Sequence, residues 1–378
     1  MRKLIQIYTG GVSGRNISVQ QIVQKLELVQ KAGLDGIIVG WSLEKQIYEW
    51  LRDYTKERGI ELYLWFQVLS EFKRLGGFTA VETLYGKSVQ SAVFDGDEEF
   101  SFYCPSHPDT FKSLRHIYET YFAEIAFDGV LLDRIRFPSP VTDPNALFSC
   151  TCPFCMEKLE KRGIGRAEID EAKRQMQESI EQGGVLGIRE YRDGTYSFNA
   201  RKVEAYLHAR TALITEMVSS LSLYFREKGM KVGLDLFAPF LAVFVGQDYT
   251  ELSKTADFIK PMLYRHTYTP AGMRYELEGM AGKRAGRMKQ LVGMADDRMT
   301  DFMAKELETV QKLACCDIYA GMEIHTAKDL PLVSVQSVRE GVEVTEKMNC
   351  AGRVASWNLL EASGENLLAF MKEETCTS

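Results

Sequence analysis

Short apolar runs alternate with amphipathic stretches along almost the whole chain. Eight runs read as strands, at residues 4–9, 36–41, 62–67, 130–137, 232–237, 258–264, 318–324 and 354–357. Most are rich in β-branched or aromatic residues and continuously apolar, as expected of a strand covered on both faces. Between them, residues 19–31, 44–58, 108–126, 202–228 and 303–313 carry apolar positions at helical spacing. Gly33, Gly59 and Gly229 stand where helices must stop, ahead of the second, third and fifth strands. Strands separated by helices pair in parallel through right-handed crossovers, and eight of them close on themselves. The pattern predicts an α/β fold, a single (β/α)8 TIM barrel over residues 1–378.

Two connections exceed a plain loop, at about residues 68–107 and 138–200. The first holds Gly76-Gly77 and an acidic stretch at 95–99. The second holds clustered cysteines, a charged helical stretch at 167–182 and a hairpin signal near 191–196. Both follow strand ends on the C-terminal face of the barrel, where insertions shape pockets. No internal repeat or linker divides the chain.

The composition, 45% hydrophobic and 26% charged, is that of an ordinary globular chain. A net charge of −6 with no basic cluster argues against a nucleic-acid or membrane-surface partner. It suits a neutral substrate such as a sugar, and homo-oligomerisation is left open. The start, Met1-Arg2-Lys3, is basic but precedes no apolar core of signal-peptide length. No window approaches the ~20 apolar residues that cross a bilayer. A cytoplasmic location is the expectation.

The most informative stretch is residues 127–138, Phe-Asp-Gly-Val-Leu-Leu-Asp-Arg-Ile-Arg-Phe-Pro. A buried strand changes abruptly to Asp133, Arg134 and Arg136 before Pro138 stops it. A carboxylate between two guanidiniums at the mouth of a parallel strand is where such barrels keep their chemistry. The segment resembles a signature of glycoside-hydrolase-like (β/α)8 barrels, in which the Asp ending the strand is the suspected catalytic carboxylate. That resemblance implies the role for Asp133.

Glycoside hydrolysis needs two carboxyl groups, one protonated and one ionised. Glu323, at the end of the seventh strand, is the expected partner, with His325 two positions on and on the same face. Arg134 and Arg136 are expected to hold Asp133 ionised, whereas Met322 and Ile324 flank Glu323 with apolar side chains suited to a proton donor. Asp235, within an apolar fifth strand, is the third candidate and must face the mouth or be paired in the core, for instance with Arg134 or Arg136. Asp248 reads more simply as a helix N-cap. Candidate substrate contacts cluster near the strand ends: Tyr8, Trp41, Trp65, Gln67, Tyr264, His266, Trp357 and Asn358, with Arg134, Arg136 and His325. Aromatic rings cover apolar pyranose faces, while amides and guanidiniums bond hydroxyls.

Cys150-Thr-Cys152-Pro-Phe-Cys155 has the spacing of a metal-binding turn, with Cys104 and His107 both available to complete a tetrahedral zinc site. A cysteine before the fourth strand and Cys-x-Cys-x-x-Cys after it is similar to the structural zinc module of glycoside hydrolase family 42 β-galactosidases. The resemblance implies Cys104, Cys150, Cys152 and Cys155 as ligands of a structural zinc. It does not extend to catalysis: that superfamily has Asn-Glu after the fourth strand, where this chain has Arg134-Ile135. Cys315 and Cys316 lack such spacing and are expected in the core.

Two other readings compete with a glycosidase. A tRNA-guanine transglycosylase-like zinc barrel also carries Cys-x-Cys-x-x-Cys but completes its site with a downstream His. The next one here, His208, lies far along the chain. A carbohydrate-binding barrel without turnover is the other.

Overall fold

A computed structural model describes residues 1–84, 86, 101–141, 144–326 and 332–372. The acidic stretch at 95–99 and Cys376 lie outside them. The strands in chain order are β1 (Arg2–Tyr8), β2 (Gly36–Gly40), β3 (Glu61–Gln67), β4 (Gly129–Asp133), β5 (Ile188–Arg192), β6 (Thr195–Phe198), β7 (Lys231–Phe237), β8 (Phe258–Met262), β9 (Asp317–Glu323) and β10 (Gly352–Ser356). Eight of them form a closed parallel barrel in the order β1-β10-β9-β8-β7-β4-β3-β2, and β5 pairs antiparallel with β6. This is the (β/α)8 barrel that the alternation predicts.

Each strand supplies two faces. Leu4, Ile38, Tyr63, Leu131, Phe258 and Val354 point into the barrel, and their sequence neighbours Ile5, Ile37, Leu62, Leu132 and Ala355 pack against the helices. Burying each such Leu or Ile fully contributes roughly 1.5–3 kcal/mol. Glycines make room for the aromatic layer. A Cβ on Gly129 would stand 2.4 Å from the Tyr63 ring, and one on Gly233 would stand 2.2 Å from Phe258.

The fourth strand is shorter than its apolar run. It stops at Asp133 because Arg134 takes the left-handed conformation, φ 51°. That conformation costs a non-glycine residue about 1 kcal/mol, here offset by Asp133 Oδ1 accepting the Arg134 N–H at 2.5 Å. Arg134 and Arg136 therefore lie on a loop rather than on the strand. The sequence pattern also passes over several helices, among them Met273–Ala281 and Ala285–Val292 between β8 and β9, Val335–Lys347 before β10 and Gly364–Met371 after it.

The long connection after β4 contains helices Pro153–Glu160 and Arg166–Glu181 and the β5–β6 hairpin, then leads into helix Arg201–Glu227. Tyr191 of the hairpin donates to Glu306 Oε1 at 3.1 Å, and Tyr196 donates to the Phe240 carbonyl at 2.7 Å. Arg210, fully buried, donates to the carbonyls of Ser149 (2.5 Å), Ala146 (3.0 Å) and Phe244 (2.9 Å), its guanidinium 4.0 Å from the Phe137 ring centroid. Burial pushes its pKa down to about 10. Asp248 is the N-cap of helix Tyr249–Ser253, accepting the Glu251 N–H at 3.1 Å. No helix among the described residues is long and apolar enough to cross a membrane.

Candidate active site and thiol cluster

The barrel register builds the polar centre. Leu132 pairs with Leu234, so Asp133 and Asp235 are the next residues on β4 and β7, and Asp235 pairs with Lys260 on β8. Leu131 faces inward, and strand alternation turns Asp133 the same way. Asp133 Oδ2 accepts the Trp65 indole N–H at 2.9 Å, alongside the backbone N–H that Oδ1 takes from Arg134.

Asp235 has another environment. Lys260 Nζ donates to Asp235 Oδ1 at 3.0 Å, to Oδ2 at 2.8 Å and to the Tyr264 hydroxyl at 2.9 Å. Burial pushes the Asp235 carboxyl up to about 7, with Lys260 pulling the other way and the Asp133 charge adding to the rise. Burial also opposes the charge on Lys260, but Asp235 and Tyr264 outweigh it and hold its pKa above the usual lysine range. Lys260 is absent from the sequence-based candidates. The signal for it was available: a lysine inside the apolar run 258–264 needs a buried partner as much as Asp235 does.

The hydrogen bonds and ring contacts of the arginines go to other groups than Asp133, although Arg136 stays within range of its charge. Arg134 donates to Ser70 Oγ at 2.5 Å, reaches Glu71 at 3.4 Å and lies 4.2 Å from the Trp41 ring centroid. Arg136 is held between the rings of Phe102 and Phe237, 4.5 Å from each centroid. Burial pushes its pKa down to about 10, against the charges of Glu276 and Asp133. The core partner of Asp235 is Lys260, not either arginine.

Glu323 reaches the mouth, but its carboxylate is occupied. Both oxygens accept the Arg265 backbone N–H at 3.0 Å, Oε1 also accepts the His266 N–H at 3.2 Å, and Arg265 Nε lies 3.7 Å away. Glu323 thus fixes the loop after β8. Its neighbours Met322 and Ile324 face the helices, because adjacent strand residues point to opposite faces. They do not provide the apolar setting that their place in the sequence suggests.

The aromatic candidates do gather. Tyr8, Trp41 and Trp65 meet edge to face with centroids 5.1, 5.2 and 6.5 Å apart. Trp357 packs against Tyr264 at 5.8 Å and against His325 at 4.7 Å. Burial pushes His325 down to about 4 and lowers His266. Trp41 Nε1, Gln67 Oε1, His266 Nε2 and both His325 nitrogens are buried without a hydrogen-bond partner among the described residues. Gln67 Nε2 donates to the Trp65 carbonyl at 3.3 Å. Asn358 has a structural task, its Oδ1 accepting the N–H groups of Tyr8 and Leu360 at 3.4 and 3.3 Å.

Away from the mouth, Cys104, Cys150, Cys152 and Cys155 are all buried, with sulfurs within 4.8 Å of one another. Cys104 Sγ lies 3.3 Å from Cys152 Sγ and 3.4 Å from Cys155 Sγ, too far for a disulfide. Four thiolates at ~2.3 Å from one ion would be about 3.8 Å apart, so this donor set fits a tetrahedral metal with a small expansion. Two chain segments meet here: the Thr151 N–H donates to the Glu82 carbonyl at 3.0 Å, and the Glu82 N–H points to Cys150 Sγ at 3.4 Å. His107 is not part of the cluster; it caps helix Pro108–Tyr121, accepting the Asp109 N–H at 3.2 Å. His208 is exposed on helix Arg201–Glu227. Cys315 is exposed, contrary to the expectation of a core position, whereas Cys316 is partly buried and packs against the core.

The chain matches no protein-family model and no curated protein sequence. Solved structures do share its architecture. The PgaB (BpsB) glycoside hydrolase domain from Bordetella bronchiseptica aligns with TM-score 0.64 and 12% identity over 99% of both chains. The catalytic domain of a beta-amylase from Paenibacillus polymyxa aligns at 0.53 and 12% over 97% of both. Alpha-L-fucosidase isoenzyme 2 from Paenibacillus thiaminolyticus aligns at 0.51 and 10%, over 98% of this chain and 48% of the other. What this chain shares with these glycoside hydrolases is the closed eight-stranded barrel, and at such identities the likeness is one of fold.

Proposed function

We propose that the protein is a glycoside hydrolase acting on a carbohydrate, with Asp133 and Asp235 as its carboxylate pair. One observation carries this reading: two inward carboxylates occupy neighbouring strands in unlike environments. Asp133 accepts an indole and a backbone N–H, whereas burial raises Asp235 toward neutrality. Environments that separate two carboxyl groups in this way mark base and acid roles. Asp235 then protonates the leaving oxygen as the glycosidic bond breaks, Asp133 meets the positive charge growing at the anomeric carbon, and a water molecule replaces the leaving group there and gives its proton to a carboxylate of the pair. Glu323 serves as an anchor for the loop after β8.

The surroundings support a sugar. Tyr8, Trp41, Trp65 and Trp357 gather aromatic rings near the strand ends, with Arg134 over Trp41, and the buried groups without a partner among the described residues include both donors and acceptors. Leaving such a group unsatisfied costs about 1–3 kcal/mol, which sugar hydroxyls would recover on binding. The four thiols would hold a zinc ion as thiolates, leaving no open position for water, so the metal's task is to tie the two connections together. Cysteines of this kind, not joined in disulfides, suit a reducing, cytoplasmic setting.

The test is a panel of chromogenic glycosides against the wild type and the Asp133→Asn and Asp235→Asn variants. Each variant should lose about 10²–10⁴-fold in turnover while keeping its circular dichroism spectrum. Full turnover by either would defeat the reading.

A further inference from the structure

Lys260 is 0% exposed, and the ammonium's three N–H donors are matched by three acceptors, the two oxygens of Asp235 and the hydroxyl of Tyr264. It therefore has no donor left for a substrate. Whatever it does at the mouth, it does through Asp235.

A buried ion pair is an unfavourable way to fill a core, since apolar side chains of similar volume often serve better. This pair sits beside a second carboxylate. The charged groups that face Asp235 are Asp133 from β4 and Lys260 from β8, with Tyr264 beyond β8 and Tyr249 behind β7. Without the ammonium, Asp235 would border Asp133 in an apolar barrel, and its charged form would be strongly disfavoured. A carboxyl group that cannot bear charge cannot release its proton.

We infer that Lys260 is a positioning residue: it holds the Asp235 carboxylate in register with Asp133 and keeps its charged form accessible inside the barrel. The inference rests on Asp133 and Asp235 being the working pair. It assigns to a lysine in the middle of a strand a part in the chemistry without any contact with substrate.

Carboxyl ¹³C NMR of Asp-labelled protein tests it without a substrate, with Asp235→Asn assigning the resonance. In Lys260→Met the Asp235 midpoint should rise by about one pH unit or more, while in Lys260→Arg, which keeps the charge, it should stay within about half a unit of the wild type. If the Met variant does not fold, Lys260→Gln removes the same charge and should give the same rise. On a hydrolysed chromogenic glycoside, the alkaline limb of kcat/KM should move with that midpoint and return in Lys260→Arg. An unmoved midpoint overturns the inference. So does an unmoved alkaline limb with lowered stability, which would make Lys260 a core cation only. Failure of the underlying reading shows separately, as full turnover by Asp235→Asn.

Discussion

The Trp65 indole donates to Asp133 Oδ2 at 2.9 Å although Trp65 pairs in register with Leu131, so the ring reaches one step toward the mouth to meet the carboxylate. Trp65→Phe keeps an aromatic ring against Trp41 and removes this one donor. A hydrogen bond to a charged group is worth about 1.5–3 kcal/mol, or roughly 10–100-fold in kcat/KM. We expect a loss of that size with little change in melting temperature. Steady-state kinetics alongside a thermal melt check it.

Glu323→Gln separates an anchor from a catalyst. It replaces an oxygen that accepts backbone N–H groups by a donor and leaves the buried Arg265 without its counter-charge. Breaking such a pair costs about 3–5 kcal/mol. Denaturant unfolding should show that loss, and the folded fraction should keep measurable turnover. A stable but inactive Glu323→Gln protein would restore Glu323 to the catalytic pair.

Glu306 predicts a pH dependence of stability. Burial pushes its carboxyl up to about 7 from an ordinary 4.5, against the Phe240 N–H and the Tyr191 hydroxyl, which favour the charged form. The folded state therefore holds a proton that the unfolded state releases earlier. The stabilisation is fully present below about pH 4.5 and lost as pH rises through 7, about 3 kcal/mol across the window. Asp235 acts in the same direction, so the comparison must be with Glu306→Gln. The difference in unfolding free energy between the two proteins should change by about that amount from pH 4.5 to 8.

Cys104→Ser should abolish tight metal binding and destabilise the fold without moving the pH profile of turnover. Elemental analysis should give one zinc per wild-type chain and little in the variant, with a melting temperature lower by about 5 °C or more. Metal-free wild-type protein of undiminished stability would contradict this.

The barrel is legible in the sequence because burial on both faces of a strand leaves an unbroken apolar run. The thiol cluster is legible because its spacing is that of a metal-binding turn. The polar centre is legible only in part. Asp133 stands out at the end of its strand, and Asp235 stands out inside one. Their partners depend on register, which sets Lys260 beside Asp235 across two strands and cannot be read from either run alone. Arg134 and Arg136 look like partners of Asp133 because they are adjacent in sequence. A left-handed residue at Arg134 ends the strand, and the contacts of the two side chains go to Ser70, Trp41, Phe102 and Phe237, with Arg136 still feeling the Asp133 charge.

Arg210 gives the insertion after β4 a permanence that its position outside the barrel would not suggest. A shortened version of this protein, with residues 144–152 trimmed to a tight turn, would strip that guanidinium of two of its three carbonyl acceptors and leave a cation facing Phe137 within the protein interior. Excision would succeed only together with an apolar replacement at position 210. Any related chain without the cysteine turn should therefore also lack the arginine.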